Sequence, residues 1–221
     1  MRRFFLFSVI GVTALFTSVL VAEQAPNPAA AGGSSATRPA ASPYRLVGTI
    51  KELMEGIVDP SSDVLFESVA TDITSKGVQE KRPQTDEEWA VVEHNALMLA
   101  EAANLLKMPG RQVAKPGEKT KSEGPDAPEL TAPEIAKKIG ANRALWLKYA
   151  NGLQGAALKA LDAARKKSVD GLFTVGEDID MACENCHLEY WYPNDKAAKA
   201  LAQQERDAKA AEDRAKKANK K

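Results

Sequence analysis

Residues 176–193 read GEDIDMACENCHLEYWYP, and the pentad Cys183-Glu184-Asn185-Cys186-His187 inside that stretch decides how the chain is read. These are the only two cysteines among 221 residues, and His187 is one of two histidines, the other being His94. On a helix, residues three and four apart are neighbours, so Cys183, Cys186 and His187 share one side. Two sulfurs so spaced can add to the two vinyl groups of a haem while the adjacent imidazole reaches the iron, and C-x-x-C-H is the c-type attachment signature. With no other cysteine there is no competing disulfide framework. Three rival readings stand beside this one. A thioredoxin-like redox pair would begin a helix within a βαβ pattern. A zinc site would need a fourth ligand, for which His94 is the only other histidine. Two buried structural thiols are the third.

Working outward, the pentad sits on the last of four helical stretches. The first is expected to start at Pro43 with Ser42 as N-cap. There Leu46, Ile50, Leu53 and Ile57 recur at 4, 3 and 4 residues, with Val47, Met54 and Val58 beside them. Asp59-Pro60 is expected to break it and open a short segment, PSSDVLFESVA. The second helix spans about Asp86 to Lys107, with Trp89, Val92, Ala96, Leu99, Ala103 and Leu106 forming a packing seam, and Met108-Pro109-Gly110 ends it. A proline-rich crossover loop covers 111–130. The third helix begins near Thr131 and presents Ile135, Ile139, Trp146, Tyr149, Leu153, Ala156, Ala160 and Ala164; the fourth begins near Gly176. No stretch alternates as a strand does. The expected class is therefore all-α, a four-helix bundle over residues 43–195 with a covalently attached c-type haem on its C-terminal helix.

Lysine plus arginine (30) equals aspartate plus glutamate (30), which excludes the strong basic excess of a nucleic-acid binder. The first 22 residues carry Arg2 and Arg3 and then an apolar run from Phe4 to Val21 ending at Ala22. They read as an export signal, with an uncleaved membrane anchor as the alternative. No cysteine lies near the run, which excludes a lipid-modified N-terminus. Removing 1–22 takes two basic residues and no acid, leaving 28 against 30. Residues 23–42 are almost wholly Ala, Pro, Gly and Ser, a flexible tether. Residues 196–221 hold nine Lys/Arg, four Asp/Glu and one large apolar residue, Leu201. That composition reads as a solvated helical tail, with docking to an acidic partner or an anionic membrane surface as the alternative.

CENCHLEYWYP near the end of the chain, on the last of four helices, resembles the class II cytochromes c, the cytochrome c′ group and its Met-ligated, low-spin relatives. The resemblance covers about Pro43 to Pro193. Cytochromes c′ usually carry a basic residue one turn after the haem histidine, where this chain has Trp191 after Tyr190. The low-spin relatives have a methionine on the first helix facing the haem, a place that Met54 matches. The resemblance therefore implies His187 as proximal and Met54 as distal iron ligand, on the Met-ligated branch. Without the haem motif, Met54 would read as core filling on an apolar stripe. Met98 lies on a secondary row of the second helix, Met181 is on the attachment helix and cannot reach across, and His94 is rotated off the main seam. Trp89, Trp146, Tyr149, Tyr190 and Trp191 could wall off the macrocycle or simply anchor helix packing. Arg143, Lys148, Arg45 or Lys51 could pair with its propionates.

The expected protein is not an enzyme. It is a periplasmic carrier of single electrons by one covalently bound haem, whose partners are redox proteins. A five-coordinate haem protein binding nitric oxide or carbon monoxide is the first alternative, and a haem-containing interaction subunit of a larger assembly the second. Membrane contact is expected only through an uncleaved N-terminus or the basic tail, and pairing into a homodimer rests on fold analogy.

Overall fold

The computed structural model describes residues 44–75, 77–119 and 129–218. The expected export signal (1–22), the tether (23–42) and the expected Ser42–Pro43 helix start lie outside the described residues. Helices dominate: α1 (Ile50–Leu53), a π-helical turn (Met54–Val58), α2 (Asp59–Glu67), α3 (Asp86–Leu106), α4 (Ala132–Ala141), α5 (Arg143–Arg165), α6 (Val169–Tyr190) and α7 (Lys196–Ala218). One antiparallel hairpin, β1 (Ala70–Thr74) and β2 (Gly77–Lys81), sits between α2 and α3.

The first helix starts later than its apolar spacing suggests. Thr49 is the N-cap: its hydroxyl accepts from the Glu52 N–H at 3.1 Å, and the Glu52 carboxylate accepts from the Thr49 N–H at 3.0 Å. This reciprocal box satisfies two of the donors that a helix start leaves free. The next two, on Ile50 and Lys51, donate to the carbonyls of Gln112 and Val113 at 2.8 and 2.9 Å. The chain before Thr49 is consequently not helical, and Val47, expected beside the apolar stripe, is 87% exposed.

Asp59-Pro60 does not break the helix. The Asp59 N–H donates to the Met54 carbonyl, five residues back, and Pro60 falls in the first turn of α2. Proline has no N–H for Gly56 and its ring would press on that carbonyl; widening one turn to the π form accommodates both constraints. Buried positions accordingly run Ile50, Leu53, Val58, Ser61, Ser62 and Leu65, with the five-residue step at the π turn.

Strands at 70–74 and 77–81 were not expected. Their apolar residues are exposed, Ile73 at 82% and Val78 at 64%, so no core-facing alternation marks them. Their pairing places Ile73 opposite Val78, and Gly77 enters the second strand at φ +118°, a region that glycine adopts without steric cost.

Helix α3 buries the seam traced from its sequence: Trp89, Val92, Ala96, Leu99, Ala103 and Leu106. It packs on α5, α5 packs on α6, and α2 contacts both α3 and α6. The stretch expected as one third helix is two. Asn142 interrupts it at φ −140°, ψ 74°, and its side chain caps α5 by accepting from the Leu145 N–H at 3.0 Å. Helix α6 begins seven residues before Gly176, where the Ser168 hydroxyl accepts from the Gly171 N–H at 3.1 Å.

Three side chains, one from the loop just after it and two from α5, close the C-terminal end of α3, whose last carbonyls lack helical partners. Arg111 Nε donates to the Leu105 carbonyl at 3.0 Å, Trp146 Nε1 to that of Leu106 at 2.9 Å, and Arg143 to that of Lys107. The tail is not simply solvated. Ala202 is buried, Lys209 lies 3.0 Å from Glu177 and 3.1 Å from Asp178 on α6, and Arg206 donates to the Asn185 side chain. The cations give α7 a seat that its lack of an apolar stripe does not suggest.

Candidate cofactor site

Leu172, Val175, Ile179 and Tyr190 set the buried phase of α6. Cys183 and Cys186 lie close to that phase, half-buried against the core, and both are free thiols. With His187 they form one wall of a cavity open at its mouth to solvent. The facing wall is Met54, Val58, Ser62 and Phe66, a run of four-residue steps through the π turn into α2. Trp146, Tyr149, Ala150 and Leu153 of α5 and Leu106 at the end of α3 complete the lining, with Asp59, Asp63 and Asp180 at the polar positions.

A second cavity shares Met54, Asp59 and His187 with the first. It adds Lys51 and Glu55 from the first helix, Val113, Ala114 and Glu129 from the long connection, and Trp191 and Tyr192 beyond α6. Met54 and His187 are thus both common to the two spaces, from opposite elements.

Burial and the carboxylates around it govern the electrostatics. Loss of water pushes the thiols of Cys183 and Cys186 up to about 12, reinforced for Cys183 by Asp180, Asp59 and Glu184. Reactive thiols instead have lowered values in electropositive surroundings, so burial among carboxylates works against a thiolate redox pair. Burial also lowers the pKa of His187, against the opposing pull of Glu184, Asp59 and Glu129. Burial thus favours the neutral ring, the form able to coordinate a metal. It is flanked by the rings of Trp191 and Tyr192, with centroids 5.8 and 6.0 Å away. The His187 carbonyl accepts from the N–H groups of both, at 2.7 and 3.0 Å.

Hydrogen bonds hold the pentad itself in place. Tyr192 Oη donates to Glu184 Oε2 at 2.7 Å, and Asn185 Nδ2 donates to the Met181 carbonyl at 2.6 Å. Beneath the cavity the buried ring of Tyr190 stands edge-on to Trp146 (5.1 Å, 80°) and Tyr149 (6.0 Å, 88°).

Among the residues singled out from sequence, Met54, Cys183, Cys186, His187, Trp146, Tyr149 and Trp191 line one or both cavities. Trp89 is buried but lines neither. His94 and Met98 are exposed on α3, and Met181 faces a surface recess beside α7. A zinc site joining His94 to the pentad therefore has no geometric basis, and among the described residues no three His, Cys, Asp or Glu side chains converge to hold a metal ion. Of the four cations considered for the propionates, Lys51 lines the second of these cavities, held by Glu118 at 2.6 Å, and Lys148 lines a separate surface recess with Tyr149 and Ala182. Sequence reasoning missed Ser62, Phe66 and Tyr192. The four-residue spacing from Met54 through Val58, Ser62 and Phe66 was the available signal, hidden by reading Pro60 as a break.

The residue set fits a c-type haem: two free thiols and a neutral imidazole on one wall, a soft thioether on the other, aromatic and aliphatic side chains between. No family model, curated protein or solved structure matches the chain. No described helix is long and apolar enough to cross a membrane.

Proposed function

We propose that this chain is an exported c-type cytochrome of the class II type, a haem-bearing four-helix bundle that carries single electrons between redox partners in the periplasm. The observation that carries the reading is the convergence of Cys183, Cys186 and His187 with Met54 on one cavity. In the bundle reading, α3, α5 and α6 are three of the helices, and the first is the run from Ile50 to Glu67 through the π turn.

Cys183 and Cys186 would hold the macrocycle as thioethers, with His187 as the proximal and Met54 as the distal ligand. When bound, the group supplies an iron that cycles between Fe(III) and Fe(II). The chain's own residues keep water out and the geometry fixed. Trp146, Tyr149 and Leu153 present an apolar wall, Tyr190 braces the first two from behind, and Trp191 and Tyr192 flank the imidazole. With a thioether and an imidazole as its ligands, the iron would be favoured in the reduced state relative to harder ligands. Carboxylates of Asp59, Glu184 and Glu129 around His187 act in the opposite sense, favouring the more positive oxidised state.

Attachment is tested by expressing the chain with export and haem maturation and measuring haem that survives denaturation. The parent is expected to retain it, Cys186→Ala to retain much less, and the double Cys183→Ala/Cys186→Ala variant none. Undiminished denaturant-resistant haem in the double variant would overturn the assignment.

A further inference from the structure

Helix α7 brings Lys199, Gln203 and Arg206, spaced at four and three residues and so on one side, against the end of α6 that carries the pentad. With Lys148 of α5 they frame a surface recess whose floor includes Tyr149, Ala182 and Leu188. Three of its charged side chains are cations, and the remaining one, Glu189, is already paired with Lys138 of α4 at 3.1 Å.

The neighbouring surface is built differently. Lys159 of α5 lies 2.8 Å from Asp178, Arg165 lies 2.8 Å from Glu93, and Lys209 of α7 lies 3.0 Å from Glu177. Lys148 and Lys199 are exposed and form no ion pair among the described residues. Arg206 is half-buried and donates to the side-chain oxygens of Asn185 and Gln203, both uncharged, so its positive charge is oriented but not neutralised. Gathering like charges is unfavourable until an opposite charge meets them. A further recess along α7 has the opposite character, with Glu177, Asp180, Glu205 and Glu212 around the single cation Lys209. The cationic patch is therefore local to the pentad end of α6.

The chemistry of the recess constrains its occupant. Arg206 spends its guanidinium on Asn185 and Gln203, so no free fork is offered to a single carboxylate or phosphate. The field is instead spread over two helices. Tyr149 is half-buried and Leu188 buried, so a bilayer finds no large apolar side chain on this surface to take up. A spread positive field around a partly apolar floor suits a folded partner with clustered carboxylates. Tyr149 and Ala182 line both this recess and the cofactor cavity, so a partner seated there rests on the cavity's own wall.

We propose that Lys148, Lys199 and Arg206 form the docking surface for a protein partner that presents clustered carboxylates, seated against the Tyr149 and Ala182 wall of the cofactor cavity. What that partner exchanges rests on the haem reading given above; the docking itself does not.

The test titrates the exported protein, in its reduced form, with decaglutamate as a model acidic peptide and follows amide chemical shifts by nuclear magnetic resonance. Binding is expected at low salt, with the largest shifts at Lys148, Ala182, Asn185 and Lys199, and should weaken steeply in raised salt. Lys148→Gln/Lys199→Gln should weaken it roughly fivefold, about what two exposed ion pairs supply, with the melting temperature unchanged. Lys166→Gln/Lys216→Gln removes the same charge from α5 and α7 outside the recess and should weaken binding by less than about twofold. Equal losses in the two variants, no binding at low salt, or shifts centred elsewhere would overturn the proposal. So would tighter binding to phosphatidylglycerol vesicles through the same lysines, which would make a membrane the occupant, or displacement of the peptide by an equal charge of inorganic phosphate, which would make the recess a small-anion site. Each result is read whether or not haem is attached. A chain without attached haem that still binds decaglutamate at the recess would overturn the cytochrome reading and leave the docking surface standing.

Discussion

Replacing Trp146 by phenylalanine removes one hydrogen bond and part of one ring from the layer beneath the cavity. The indole is 1% exposed, donates to the Leu106 carbonyl at 2.9 Å and meets Tyr190 edge-on at 5.1 Å. Leu106 is the last residue of α3, so its carbonyl has no helical donor to fall back on. Leaving a buried carbonyl unpaired costs about 1–3 kcal/mol. The space vacated by the smaller ring adds to this, as large-to-small core changes do, by roughly another 1–2 kcal/mol after partial collapse. A total near 3 kcal/mol should lower the melting temperature by roughly 6–12 °C at about 2–4 °C per kcal/mol for a domain of this size. The assay is urea and thermal unfolding by far-ultraviolet circular dichroism, with the denaturant slope unchanged. Because α5 also walls the cavity, the variant should broaden the visible spectrum of the loaded protein. A loss below about 0.5 kcal/mol, the size typical of surface changes, would refute the claim that this indole closes the end of α3.

Other outcomes follow from single contacts. A Cβ at Gly171 would lie 2.9 Å from Ser168 Oγ and 3.0 Å from Ala163 Cβ, so Gly171→Ala should destabilise by about 1–3 kcal/mol in chemical unfolding, as overpacking does. Ending the chain at Asp195 removes the Lys209 pairing with Glu177 and Asp178 and the burial of Ala202. It should lower stability by about 1–2 kcal/mol, with part of the loss reproduced in the full chain by raised salt, since partly exposed pairs are screened. Lys115, with Thr49 beside it, holds the Glu52 carboxyl down at about 2. Because that folded value lies below the ordinary one, the contribution is present above about pH 4.5 and is lost as pH falls towards 2. Glu52→Gln should flatten the acid limb of the stability profile over that window.

The parts of this molecule that could be read from sequence are those set by a dense local signal. The α3 seam is periodic over 21 residues, and the pentad places three chemical groups on one helix side whatever the exact helix start. Reading failed where a competing pattern masked the signal or a tertiary partner decides the outcome. Thr49 starts the first helix through its box with Glu52, a local signature masked by the apolar spacing before it, while the loop at Gln112 and Val113, about sixty residues away, takes the next two N–H groups. Pro60 is tolerated because one turn widens, and hiding that continuity also hid Ser62 and Phe66. The hairpin escaped because its large apolar residues Ile73 and Val78 are exposed, and α7 docks through Arg206 and Lys209 with Ala202 as its one buried apolar residue. Met54 was legible as an apolar position on the first helix. Its place on the same cavities as His187 required the fold.

The central claim is an iron held between His187 and Met54, and the visible and near-infrared spectrum of the oxidised, exported protein tests it most directly. The account requires low-spin bands with a weak sulfur-to-iron band, and loss of that band with a shift towards high spin and carbon monoxide binding in Met54→Ala, haem remaining attached. A parent protein already high-spin and open to carbon monoxide, or a Met54→Ala variant with the parent spectrum, would contradict it.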